Sequence, residues 1–189
     1  MIKQTFRTVA LVAAISAATA SIATADEETS SDEDLIENAI RFDRDEVLEE
    51  RQDARSQFLR GLLFAYGRTV ETDYVQAANW FQRAAEKGYA PAEYSLGVMF
   101  AKGRGVRIDP GAAVKLFESA ATKGLPAAQH NFAVMLAEGD GRPRDLVSAY
   151  VWFTRVGESL EISRQYRDRI EPLMTNEQII AARQFAEKR

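Results

Sequence analysis

Between residues 54 and 158 the apolar positions recur with two spacings at once, three to four residues and a longer beat of 36 residues. The short spacing is the pitch of one helix face. Shifted by the long one, KGYAPAEYSLGVMFAKGRG from Lys87 overlays KGLPAAQHNFAVMLAEGDG from Lys123, so that Gly88 meets Gly124, Leu96 meets Phe132 and Met99 meets Met135. One period earlier the same frame takes in Gly61, Gly67, Asp73, Ala77 and Phe81. Self-similarity of this length marks a stack of repeated supersecondary units.

Each unit reads as helix, loop, helix. Asp73, Asp109 and Asp145 align just before the second helices, where a carboxylate accepts the orphan N–H groups of the first turn and faces the positive end of the helix dipole. Pro110 follows Asp109 at the first helical position, and Gln76 lies three residues after Asp73, as a capping box requires. Gly67, Gly103 and Gly139 are predicted to close the first helices, and Gly88 and Gly124 the second. Ala77 with Phe81, Ala113 with Phe117 and Ala149 with Phe153 put a small and a large residue on one helical face. Gly61, Gly97 and Ala133 are the small residues that let neighbouring helices approach.

The two ends depart from the beat. After Phe153 the period fails, because Asp168 falls where a fourth unit would need leucine. Ile162, Tyr166 and Ile170 form one stripe, Pro172 ends that helix, and Thr175 with Gln178 opens a last helix carrying Ile179, Ile180, Ala182 and Phe185. Residues 159–189 are therefore predicted to be capping helices. At the other end, Lys3 and Arg7, the uncharged stretch Val9 to Ala20 and the small-x-small pattern Ala23-Thr24-Ala25 read as a secretory signal over residues 1–25, with Ala18-Thr19-Ala20 as a second cut site. The apolar run is too short and too rich in Ala and Thr to cross about 30 Å of hydrocarbon, so no membrane segment is expected after cleavage. Residues 26–53 read as an acidic N-terminal arm, disordered from Asp26 to Asp34, where no apolar periodicity runs, and then one or two amphipathic helices carrying Leu35, Ile36, Ala39, Ile40, Val47 and Leu48, which either cap the first repeat or compete with a partner for its groove.

Charge and chemistry narrow the function. Residues 26–50 hold 12 Asp and Glu against 2 Arg, while residues 51–189 hold 16 against 20 Lys and Arg, so an acidic arm precedes a mildly basic body. The overall charge of −4 argues against general nucleic-acid binding. With no cysteine and one histidine, a disulfide framework, a thiolate nucleophile and a Cys- or His-cluster metal site are excluded, and no cofactor or catalytic set is expected. His130 shares its repeat position with Tyr94 and Phe58, which makes it the occupant of a ring-sized slot rather than a general base. The G-x-G pairs at Gly103 and Gly139 neither follow a strand nor reach a third glycine, so no nucleotide fingerprint is present.

The LG-x-x-F run at Leu96 to Phe100, the A-x-x-x-F run in every copy, the G-x-G-V loop at Gly103 to Val106 and the string WFQRAAEKG at Trp80 to Gly88 resemble the Sel-1-like repeat, a longer relative of the tetratricopeptide repeat. Thr69, Ala133 and Arg142 depart from the pattern in the outer copies. The resemblance implies an all-α, right-handed α-solenoid of about three repeats, residues 54–89, 90–125 and 126–158. It further implies a non-enzymatic protein–protein interaction scaffold of the bacterial periplasm or cell envelope, a monomer that regulates an envelope protein or a sensor kinase. Two other classes stand beside this one. A cell-wall peptide or β-lactam hydrolase is known among disulfide-bearing relatives, but a chain without cysteine departs from that branch; a cytoplasmic chaperone adaptor is incompatible with export.

In the tetratricopeptide frame the first helices line a concave groove. It would present Phe58, Tyr94 and His130 in one column, Leu62, Val98 and Val134 in the next, and Tyr66, Lys102 and Glu138 in the third, unless the tight twist of a short stack buries much of the first two columns as core. Arg68, Arg104, Arg107, Arg142 and Arg144 in the loops would form a basic rim that either steers an acidic protein or peptide partner or is simply solvated charge.

Overall fold

A computed structural model of the chain describes residues 52–67, 71–157 and 159–187, which hold eight α-helices and no strand. Six of them pair into three hairpins: α1 (Ala54–Tyr66) with α2 (Tyr74–Glu86), α3 (Ala90–Lys102) with α4 (Pro110–Thr122), and α5 (Pro126–Glu138) with α6 (Leu146–Val156). Then come α7 (Glu161–Ile170), a 3₁₀ turn at Glu171–Leu173, and α8 (Asn176–Glu187). The second helix of each hairpin packs on the first helix of the next. This is the all-α repeat stack that the periodicity predicts. The signal, residues 26–51 of the acidic arm, and Arg68 lie outside the described residues.

The caps explain where the helices stop. Asp73, Asp109 and Asp145 all sit in extended backbone and accept from N–H groups two or three residues on: Asp73 from Val75 and Gln76, Asp109 from Ala112, and Asp145 from Ser148. Hydrogen bonds from the N–H and hydroxyl of Ser148 hold the Asp145 carboxyl below its usual range, against the opposing effect of its partial burial. A fourth cap went unread in the sequence: Asp53 accepts from the Ser56 N–H at 3.0 Å and opens α1. By contrast α3 and α5 start without a side-chain cap, behind Tyr89 and Leu125. Pro91 and Pro126 remove one orphan donor there, and Leu125, 2% exposed, fills the core instead.

Inside each hairpin an aromatic ring lies where a side chain is missing. A Cβ built on Gly61 would stand 2.5 Å from the Phe81 ring, and one on Gly97 2.8 Å from the Phe117 ring. Ala133 takes that place in the third hairpin, where Phe153 is fully buried. Between hairpins the close approach is backbone on backbone. A Cβ on Gly105 would fall 2.1 Å from the Tyr74 carbonyl oxygen, and one on Gly141 2.3 Å from that of Pro110, so each loop presses on the start of the preceding hairpin's second helix. Both glycines also have positive φ, 69° and 76°, which the other residues adopt only under strain.

At the C-terminal end the stack is closed differently from the repeats. Tyr166 on α7 stands one period after His130, and the two rings meet edge to face at 5.1 Å. The helix α8 then packs back on α6, with Ala182 fully buried and Arg183 reaching both Tyr150 and Glu171. Its start is a complete capping box: the Thr175 N–H donates to Gln178 Oε1 at 3.0 Å, and the Gln178 N–H donates to Thr175 Oγ1 at 3.3 Å. Of the apolar residues expected to cover the core, Ile179 packs against it, whereas Ile180 and Phe185 project into solvent.

Asp109→Ala should lower the unfolding free energy by about 0.5–2 kcal/mol, the loss for an N-cap. Gly105→Ala should cost more than the cap, because both its φ and the Tyr74 carbonyl oppose a Cβ. Urea unfolding followed by circular dichroism orders the two; equal midpoints would contradict the contact.

Candidate partner-binding surface

The first column of the expected groove is interior. Phe58, Tyr94 and His130 are only 3%, 2% and 5% exposed. Each ring packs on the phenylalanine of its own hairpin, Phe58 on Phe81 at 5.5 Å, Tyr94 on Phe117 at 5.7 Å and His130 on Phe153 at 5.6 Å. Burial, the second of the two readings, has a physical reason: hairpins spaced closely enough for Gly105 and Gly141 to touch the preceding unit leave no open trough over these rings. Asn131 donates to the Tyr94 hydroxyl at 3.2 Å, and burial pushes that phenol above its usual range. Leu62, Val98 and Val134, the second column, are half-buried and pack against the same cores.

Only the third column reaches the surface. Tyr66 and Glu138 are exposed and Lys102 is half-buried at the end of α3. Burial lowers the Lys102 pKa, and the Arg104 charge beside it lowers it further. The Arg104 guanidinium lies 5.7 Å from the ring centroid of Tyr74, which is itself exposed. None of the ion pairs among the described residues includes Lys102 or Arg104. Next to Tyr74 a cleft of about 580 Å³ is lined by Phe64, Glu71, Thr72, Asp73, Val75 and Gly105.

The rest of the rim is not uniform. Arg142 is engaged by Glu118 at 3.3 Å and lies over the Phe132 ring, and Arg144 donates through Nε to the Ala137 carbonyl at 3.0 Å. Arg107 is exposed. A second apolar groove of about 370 Å³, lined by Val147, Val151, Trp152, Arg155 and Phe185, was not foreseen, since it arises from α8 folding back on α6.

Among the described residues no group of three His, Cys, Asp or Glu side chains could hold a metal ion. His130 Nδ1 and the Ser163 hydroxyl lie 2.8 Å apart in the core, and burial pushes the His130 pKa down to about 4. Glu93 is buried too, with Oε1 accepting from Ser119 at 2.9 Å and from Lys123 at 2.5 Å. This pair ties α3 to the end of α4.

Helical hairpins stacked in this way, with a mixed aromatic and cationic surface at their helix ends, define a helical-repeat protein. The Sel1 repeat pattern matches residues 54–89, 90–125 and 126–156, more than half of the chain, and the chain belongs to the Sel1 repeat family. Sel1 repeats generally build protein-interaction scaffolds. Among solved structures, the chain is similar to a protective antigen present in uropathogenic Escherichia coli strains displaying an SLR fold, with a TM-score of 0.69 and 26% identity over 82% of this chain and 36% of that one. It also shares its fold with a Sel1 repeat protein from Oxalobacter formigenes, with a TM-score of 0.62 and 24% identity over 72% of this chain and 59% of that one. The chain thus spans about a third of the first relative and under two-thirds of the second. No curated protein sequence matches it. No helix of the described residues is long and apolar enough to cross a membrane.

His130 supplies a test of the core assignment. Its folded pKa of about 4 lies below the value near 6.5 of an unfolded chain, so between these limits the unfolded state binds the proton more readily. Its stabilising effect is complete above about pH 6.5 and is lost as the pH falls toward 4. His130→Phe should be less stable at pH 7, because Ser163 loses its partner, but its deficit against the parent should shrink by on the order of 3 kcal/mol by pH 4. A deficit independent of pH would place His130 in contact with water.

Proposed function

We propose that this protein is a non-enzymatic interaction scaffold of the bacterial cell envelope, exported by its N-terminal signal, that holds an acidic segment of a protein partner against Tyr66, Tyr74, Lys102 and Arg104. The observation that carries this reading is the pair Lys102 and Arg104, found in none of the ion pairs among the described residues, with Arg104 beside the exposed Tyr74 ring. A half-buried ammonium whose pKa is already lowered is restored by an incoming carboxylate, and an arginine stacked on an aromatic ring keeps its donors directed outward. Glu138, one period beyond Lys102, repels such a segment, so the partner runs from Lys102 toward α1 and the cleft beside Tyr74 rather than toward α5. Family membership supports the scaffold, and the similarity to a protein described as a protective antigen supports an exported location. Within this reading the partner is an envelope protein or a sensor kinase whose activity the scaffold adjusts.

Three variants test it. The mature chain is used to retain partners from envelope extract, the retained protein is purified, and its affinity is measured for the parent, for Lys102→Glu/Arg104→Glu and for Glu138→Lys. The double variant should bind at least tenfold more weakly, a loss of about 1.4 kcal/mol or more, and the parent's affinity should fall as salt is raised. Glu138→Lys should bind at least as tightly as the parent. Equal affinity of parent and double variant would overturn the site, and an N-terminus still at Met1 in the secreted fraction would overturn the location.

A further inference from the structure

The first hairpin has an outer end that the regular stack does not explain. Leu59 and Leu63 on α1 are only 5% and 3% exposed, yet they form a cluster apart from both main cores, with Leu62 as its other member among the described residues. One period on, Met99 is buried in the core of the first hairpin, together with Phe58 and Phe81, and is therefore covered by the preceding unit. Leu63 has no preceding hairpin among the described residues, and something must keep water from it. Trp80 belongs to the same end: its counterpart Leu116 packs on the preceding hairpin's core, and Trp80 itself lies between the guanidiniums of Arg60 and Arg83, at 4.8 and 4.6 Å.

We infer that this end is a docking face whose occupant is the chain's own segment 35–50, packed over Leu59, Leu63 and Trp80 in the place a preceding second helix would hold. The junction at Gln52 points to this path. Lys87 donates through Nζ to the Gln52 carbonyl, just as Lys123 donates to the Gly88 carbonyl at 3.0 Å one period later, so the chain enters α1 from the direction in which α2 enters α3. The spacing agrees. Three residues separate Glu86, the end of α2, from Ala90, and Glu50, one period before Glu86, is likewise separated from Ala54 by three residues.

Composition agrees as well. The segment offers Leu35, Ile36, Ala39, Ile40, Val47 and Leu48 on a strongly acidic background, and the face it would cover is edged by Arg60 and Arg83, both beside the Trp80 ring. Where a true repeat has its alanine and phenylalanine, the segment has Arg41 and Asp45. That is the composition of a cap, because a terminal helix covers one neighbour only and turns its other side to water. The arm consequently belongs to the end of the stack and does not compete for the surface around Lys102. This inference does not depend on the identity of any partner.

Hydrogen exchange with mass spectrometry on the full mature chain decides the matter. Ile36→Asp/Ile40→Asp/Leu48→Asp should speed exchange across residues 56–63 at least tenfold while residues 126–156 exchange as in the parent. A control with the same three charges at Thr29, Ser30 and Ser31 should leave both regions unchanged. In a Trp152→Phe background, where Trp80 is the sole indole, acrylamide should quench the triple variant at least twice as efficiently as its parent. A loss of protection that spreads to every hairpin in the triple variant, with the control intact, also supports the cap, since only a packed segment transmits it. Unchanged exchange at 56–63, or the same loss in the control, would overturn the inference. Protection at 56–63 that varies with protein concentration would assign the face to a second copy and overturn it too.

Discussion

A phenyl ring seated over a missing side chain is the contact on which the rest of the structure depends. In a hairpin of two short helices the interaxial distance is set by the smallest residue at the crossing, and a ring that fills the vacated space fixes the register along both axes. Gly61 under Phe81 and Gly97 under Phe117 do this in the first two hairpins. Once the hairpins are this tight, the next ring along each first helix is drawn inward, so Phe58, Tyr94 and His130 pack on the phenylalanine of their own hairpins instead of lining a groove. Burial follows from spacing, and the available surface follows from burial.

That chain of causes explains what could be read from the residues and what could not. Many helix ends were legible because they carry a local chemical signal, Asp109 before a helix, Gly103 after one, a reciprocal Thr175 and Gln178 pair; the starts of α3 and α5, behind Tyr89 and Leu125, carry no such side-chain cap. The repeat length was legible because every signal recurs. The inward turn of Tyr94 was not, since a ring at a given repeat position satisfies an aromatic slot equally well in a groove or in a core; the distance between hairpins decides, and that distance is set by Gly105 against a backbone carbonyl elsewhere in the chain. Asp168 likewise signalled an end to the repeats, yet α7 still extends the ring column through Tyr166, because the column is held by aromatic packing while Asp168 faces solvent.

The accessible surface is what the core leaves over. With the first two columns occupied, the side chains left exposed are those at the helix ends, and there the notable feature is electrostatic. Arg142 and Arg144 are already satisfied within the fold, whereas Lys102 and Arg104 press two positive charges together near exposed rings. On the proposed reading, a stack whose middle is closed and whose edge is charged would discriminate partners through charge placement more than through a deep pocket. Its N-terminal end, where buried leucines meet arginines, calls for an acidic amphipathic segment of the kind that the chain carries immediately upstream.

The ring-on-glycine contact is tested most directly by a double-mutant cycle on Gly97 and Phe117. Gly97→Ala alone should destabilise the protein, since the added Cβ would stand 2.8 Å from the ring and must displace it. In a Phe117→Leu background the same change should become neutral or stabilising by up to about 1 kcal/mol, the ordinary helix preference for alanine. A coupling energy of about 0.5–3 kcal/mol is the predicted result. Strict additivity of the two substitutions would mean that the register is set elsewhere.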